Sequence, residues 1–126
     1  MATNAKIYEQ RPWGMFWILR ENRDGNSVEK RIQVLPSQRL SLQSHKLRSE
    51  DWYIESGHGT VTLDDQEIKV YAADRIHIPK GAKHRIRNDS DELALVFHES
   101  TKGIFDEHDI ERYEDDYDRD SSWTNQ

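Results

Sequence analysis

The chain sustains no long helical period. Its apolar residues fall into short runs cut by Gly, Pro, Asn and Asp. Strand candidates are Met15 to Arg20, Val28 to Leu35, Leu40 to His45, Trp52 to Ile54, Val61 to Leu63, Ile68 to Tyr71, Arg75 to Ile78, His84 to Arg87 and Leu93 to His98. Within the second run, Val28, Lys30, Ile32 and Val34 alternate with Glu29, Arg31 and Gln33, which puts the first set on one face of a strand. Asp64-Asp65 reads as the turn of a hairpin. Many short strands with frequent turn residues predict an all-β antiparallel sandwich or barrel.

A length of 126 residues suits one domain and one core. The net charge of −6 argues against nucleic acid, because neutralising phosphates needs a basic surface. There is no cysteine, hence no disulfide, thiolate site or cysteine nucleophile. Met1 to Gln10 lacks the apolar run of a signal peptide, and no stretch reaches membrane-spanning length. A soluble cytoplasmic protein is expected, with no membrane partner. The chain divides into an N-terminal arm (1–10), a barrel (11–105) and a tail (106–126). Acids dominate the tail, which reads as solvated, with one or two helical turns over Asp109–Asp116 as the alternative.

Two segments carry the chemistry. One runs from Pro36 through Gln43, His45 and Glu50 to Gly57; the other runs from Ala73 through Pro79-Lys80-Gly81 and His84 to Asn88. Gln43 and His45 are two apart, so on a strand they share a face, as would Glu50, Trp52 and Ile54. His84 follows the tight Pro79-Lys80-Gly81 turn on a distant strand. An amide oxygen, two imidazoles and a carboxylate form a donor set suited to a divalent transition metal, and zinc, manganese, iron, cobalt and nickel all tolerate it. Gln43, His45, Glu50 and His84 are therefore the candidate ligands.

The spacing of these residues resembles the two motifs of the cupin superfamily. In the first, Pro-Gly precedes a His-x-His pair, then Glu, then Gly; in the second, Gly precedes Pro-x-Gly, then His, then Asn. This chain keeps that order with Ser37 and Ala73 in place of glycines and Gln43 in place of the first histidine. The phrase Arg39-Leu40-Ser41-Leu42-Gln43-Ser44-His45, with Arg48, Glu50 and Trp52, is similar to the C-terminal cupin domain of type II mannose-6-phosphate isomerases. Arg11-Pro12-Trp13-Gly14, Val28 to Ile32, Ile78 to Arg85 and Asp109 to Tyr117 match in order. Departures from that family are Lys46, Leu47 and Asp51, each standing where the family has histidine. No Gly-rich nucleotide loop is present, so guanylyl transfer is not expected of this chain.

The resemblance implies a single-domain cupin (a double-stranded β-helix, or jelly-roll-like barrel) with one divalent metal, pairing as a homodimer. It also implies a metal-dependent isomerase interconverting mannose 6-phosphate and fructose 6-phosphate. Arg39, Arg48 and Arg85 are the candidate partners for a sugar phosphate, because a guanidinium fork matches phosphate oxygens. Arg39 shares strand parity with Gln43 and His45 and is expected to point inward; Lys83 reads as a surface charge. No general base is assigned. His58, His77 and His98 read as structural or surface residues, Trp52 as core. The competing readings are a different metal-cupin enzyme, such as a dioxygenase or another sugar-modifying activity, and a non-catalytic sugar-binding cupin.

Overall fold

Residues that alternate in the sequence alternate across the sheets. The computed structural model describes residues 7–117, apart from 23, 25 and 107. One sheet takes six strands in the order β1 (Ile7–Arg11), β2 (Gly14–Asn22), β3 (Ser27–Val34), β10 (Leu95–Gly103), β5 (Arg48–Ser56) and β8 (Arg75–Ile78). The other takes five, in the order β11 (Glu111–Glu114), β4 (Leu42–Ser44), β9 (His84–Asn88), β6 (His58–Leu63) and β7 (Gln66–Tyr71). Every pairing is antiparallel. The all-β expectation holds, and no helix occurs among the described residues. None of those residues forms a helix long and apolar enough to cross a membrane.

The inner faces of the two sheets meet over one core. Val28, Lys30, Ile32 and Val34 are all buried, as their spacing requires. Trp13, Phe16, Ile54, Leu95 and Phe97 pack from the first sheet against Val61, Val70 and Ile86 of the second. Each such side chain contributes about 1.5–3 kcal/mol on burial. Trp52 lies with its ring centroid 4.8 Å from that of Phe97, which closes the apolar part of the interior.

The motif glycines and asparagine have structural reasons. Gly57 sits at φ 86°, and a Cβ there would come within 2.7 Å of the Ala94 carbonyl oxygen. Asn88 Nδ2 donates to the carbonyls of Val34 (3.0 Å) and Leu93 (2.8 Å), while its Oδ1 accepts from the Ser90 amide at 2.9 Å. It thereby fixes the loop before β10. Ser37 and Ala73, which replace glycines, keep the left-handed backbone at φ 63° and 79°. An L side chain there costs roughly 1–2 kcal/mol.

Three expectations need correction. Residues 111–114 form strand β11 rather than helical turns, and β11 pairs with β4 at the edge of the five-stranded sheet. The tail is anchored there rather than simply solvated. Asp109 carboxylate oxygens accept from the Lys46 and Leu47 amides at 2.9 Å each, and the Tyr113 hydroxyl lies 2.8 Å from Ser44 Oγ. The N-terminal arm already contributes a strand, β1, registered against β2 from Ile7↔Ile18 to Arg11↔Gly14. Finally, Leu40 to His45 is not one regular strand. Arg39 makes an isolated bridge to Arg87, and β4 begins only at Leu42. Strand parity is lost in between. Residues 1–6 of the arm and 118–126 of the tail lie outside the described residues.

Candidate metal centre

Three elements converge at one end of the interior. Strand β4 carries Gln43, with His45 immediately after it; β5 carries Glu50; β9 carries His84. Gln43 and His84 are direct partners across the β4–β9 pair, so both point inward. On β5, Arg48, Glu50, Trp52 and Ile54 are buried in alternation with their neighbours. All four candidate ligands are at most 4% exposed.

Their donors fit a metal ion. One donor atom each from His45, Glu50 and His84 lies within 4.8 Å of the others. His45 Nδ1 is 3.6 Å from Glu50 Oε2, and His84 Nε2 is 3.8 Å from Glu50 Oε1. These spans are too long for hydrogen bonds. They lie under the roughly 4.3 Å that can separate two donors sharing one ion. Neighbouring bonds aim the remaining atoms. The His84 Nδ1 hydrogen donates to the Ala82 carbonyl at 2.9 Å, which leaves Nε2 with its lone pair toward Glu50. The Gln43 amide nitrogen donates to Ser41 Oγ at 3.1 Å, and its Oε1 has no hydrogen-bond partner. Trp52 Nε1 donates to Glu50 Oε1 at 2.9 Å, while Oε2 has no hydrogen-bond partner. Neither ring nitrogen of His45 has one. Buried polar atoms are rarely left this way without a ligand. A divalent cation held by one donor atom each of His45, Glu50 and His84 would account for these groups, and Gln43, opposite His84 on β4, offers its amide oxygen as a further donor.

Protonation follows the same geometry. Burial, followed by the positive charge of Arg48, pushes His45 down to about 2. Burial also lowers His84. Both imidazoles are therefore neutral, the form that binds metal. Burial and then the nearby Glu99 push the Glu50 carboxyl well above the usual carboxylate range, against the pull of Arg48 and the Trp52 hydrogen bond. A bound cation would reverse that cost by pairing with the carboxylate.

The three arginines separate. Arg48 is buried on the inner face, with Nε 4.0 Å from Glu50 Oε2. Arg39 and Arg85 lie on the opposite face of the five-stranded sheet. The parity break before β4 turns Arg39 outward, where Nε and Nη2 bind the two Asp116 oxygens at 2.7 and 2.8 Å. Arg85 Nε donates to the Leu40 carbonyl at 3.0 Å and Nη1 to Glu114 at 2.9 Å. Together with Thr60, Thr62 and Glu67 they line a cavity of about 240 Å³ that does not include the candidate ligands.

Other residues fall where expected. His77 pairs with Asp51 at 2.7 Å, His98 with Glu29 at 3.1 Å, and His58 lies over Tyr71; none joins the cluster. Lys83 lies over the Tyr113 ring. Trp13 is fully buried core. Lys46, Leu47 and Asp51, the departures from the family pattern, are all exposed, so none of them displaces a donor.

Sequence reasoning missed part of the interior. Lys30 and Glu99 are cross-strand partners and both buried, and Thr101 Oγ1 donates to Glu99 at 3.0 Å. Lys30 gave a signal by alternating with Val28, Ile32 and Val34, because a charge on an otherwise apolar face marks a polar pocket. Arg112 on β11 lies directly opposite Gln43; reading the tail as solvated hid it.

Comparison with known proteins agrees with this architecture. The profile for the mannose-6-phosphate isomerase C-terminal family matches residues 1–115. The alginate biosynthesis protein AlgA of Pseudomonas syringae pv. tomato is 34% identical over 93% of this chain, which covers 24% of that protein. The xanthan biosynthesis protein XanB of Xanthomonas campestris pv. campestris (strain B100) is 36% identical over 92% of this chain, again 24% of its own length. The chain thus spans about a quarter of the curated relatives it matches. A cupin-2 domain from Rhodospirillum rubrum superposes with a TM-score of 0.75 at 15% identity, covering 90% of this chain and 78% of that one. The fold is a cupin barrel.

Proposed function

This chain belongs to the mannose-6-phosphate isomerase C-terminal family, and from that premise we propose that it is a metal-dependent aldose–ketose isomerase of mannose 6-phosphate and fructose 6-phosphate. The observation that carries the reading is the buried cluster of His45, Glu50 and His84, with one donor atom of each within 4.8 Å of the others, and Gln43 paired opposite His84. Moving a proton between C1 and C2 of an open sugar requires its two neighbouring oxygens to be held and polarised. A divalent metal supplies that Lewis acidity when bound.

The chain's own residues do the rest. His84 is locked in one tautomer by Ala82, and Glu50 is oriented by Trp52. Arg48 brings a fixed positive charge beside the donors, where negative charge develops on the substrate oxygens. The enclosing strands keep the donors at fixed angles and limit water.

The test is metal content of the purified protein paired with a mannose 6-phosphate to fructose 6-phosphate assay on the same sample. Turnover that a chelator abolishes and metal restores is the expected result. Stoichiometric metal without turnover would overturn the isomerase reading and point to a different cupin chemistry or to sugar binding. Failure to take up metal after reconstitution would overturn the ligand assignment itself.

A further inference from the structure

The two histidines of the candidate centre are anchored in different ways. His84 lies on β9, and its ring is fixed by the hydrogen bond from Nδ1 to the Ala82 carbonyl. His45 lies just past β4, and neither of its ring nitrogens has a hydrogen-bond partner. Its position therefore depends on the backbone of the turn 45–47, which crosses from β4 in one sheet to β5 in the other. That turn is held from three sides. The Gly81 amide donates to the His45 carbonyl at 2.7 Å, and the Ile104 amide donates to the Leu47 carbonyl at 3.0 Å. The third hold comes from the tail: Asp109 Oδ1 and Oδ2 accept from the Lys46 and Leu47 amides, at 2.9 Å each. Asp109 is itself placed by its own amide, which donates to the Asp106 carbonyl at 2.9 Å, and by the pairing of β11 with β4 just beyond it.

We propose that Asp109 is a positioning residue of the metal centre: by clamping the two amides that follow His45, it sets where the His45 imidazole meets the ion. The inference rests on the metal-centre reading of the barrel site and deepens it, because it makes the tail a part of that centre. A carboxylate is the group this position needs. Two successive amides aim their hydrogens at it, one for each oxygen, and bonds to a charged acceptor are roughly twice as strong as neutral ones. An asparagine there would accept from one amide only, since its nitrogen would face the other hydrogen. Small displacements matter, because metal–donor distances tolerate only about 0.2 Å. The clamp grips main chain, so it is indifferent to the Lys46 and Leu47 side chains that stand where the family has histidine.

The experiment titrates cobalt(II) into metal-free protein against a competing chelator and records the visible absorption of the bound ion, which reports its donor geometry. Wild type is expected to take up the ion stoichiometrically. Asp109→Ala is expected to bind it roughly 10-fold more weakly, the low end of the range for groups that orient metal ligands, with altered band positions or intensities. Asp109→Asn, which keeps one acceptor, should fall between the two and serves alone if the Ala variant does not fold. Asp116→Ala, which cuts a different anchor of the tail, should match wild type in both readouts. The assignment falls if the Asp109 variants bind cobalt with wild-type affinity and spectrum. It falls equally if Asp116→Ala weakens binding as much, because tail docking in general would then be the cause. Wild type that takes up no cobalt would overturn the ligand assignment and the clamp together, whereas normal uptake by the Asp109 variants overturns the clamp alone. Cobalt binding that depends on Asp109 in a protein without turnover would sink the isomerase reading and leave the clamp in place.

Discussion

The two ends of the barrel interior are built on the same strands and obey opposite rules. At one end Ile32, Val34, Ile54, Ile86, Leu95 and Phe97 form a dry apolar core. At the other, the same strands carry Lys30, Glu50, His84 and Glu99. The apolar end explains why the chain folds. The polar end costs stability, since desolvating charges often outweighs their mutual attraction. A buried polar cluster of this kind is a candidate functional site.

The sharpest break of this comparison is removal of a donor. His84→Ala should abolish metal retention, measured by elemental analysis after dialysis, and lower any turnover at least about 100-fold, as expected when a ligand of an essential ion is lost. Its effect on folding without metal should be small. At the apolar end the pattern inverts. Phe97→Ala should cost about 3–5 kcal/mol in denaturant unfolding, because it leaves a cavity against Trp52. Metal stoichiometry in the surviving folded fraction should not change.

A third variant sharpens the contrast by exchanging one rule for the other. Replacing the buried pair by Lys30→Met with Glu99→Leu should raise stability by about 1–4 kcal/mol, read as a higher midpoint, while impairing catalysis. Equal or lower stability would show that the polar end also supports the fold. Smaller effects belong to the rim. Arg39 holds the Asp116 carboxyl below its usual range. A depressed carboxylate stabilises above its ordinary pKa of about 3.9, and this contribution is lost as pH falls through the folded value. Protection of the β11 amides, taken relative to their intrinsic exchange rates, should therefore fall below about pH 4. The pair is partly exposed and worth at most ~1 kcal/mol. Smallest of all, Ser37→Gly and Ala73→Gly should each stabilise by about 0.5–1 kcal/mol, the relief of left-handed strain less the added freedom of the unfolded chain.

The interior strands could be read from sequence because two buried faces impose strict alternation, as from Val28 to Val34. The clustering of His45, Glu50 and His84 was readable for the same reason: parity places a side chain on a face, and His84 follows a turn whose residues announce it. Arg39 could not be placed this way. Parity carries over only along an unbroken strand, and the irregular step at Leu40 and Ser41 has no side-chain signature. The tail failed for a different reason. An edge strand buries little of itself, so Glu111-Arg112-Tyr113-Glu114 shows no apolar alternation. Its docking comes from long-range pairs such as Arg39 with Asp116, separated by most of the chain. Local propensity does not register such partners.

Strand β10 lies between β3 and β5, joining residues 95–103 to segments that precede it by about half the chain. A nascent polypeptide emerging from the ribosome therefore holds β3 and β5 as two unmatched edges until almost the whole barrel sequence has been made. Closure is a late, cooperative event with high contact order, expected on the millisecond-to-second scale. During that wait the exposed edges are templates for pairing with other chains. Truncations ending before Leu95 should aggregate rather than form a smaller barrel.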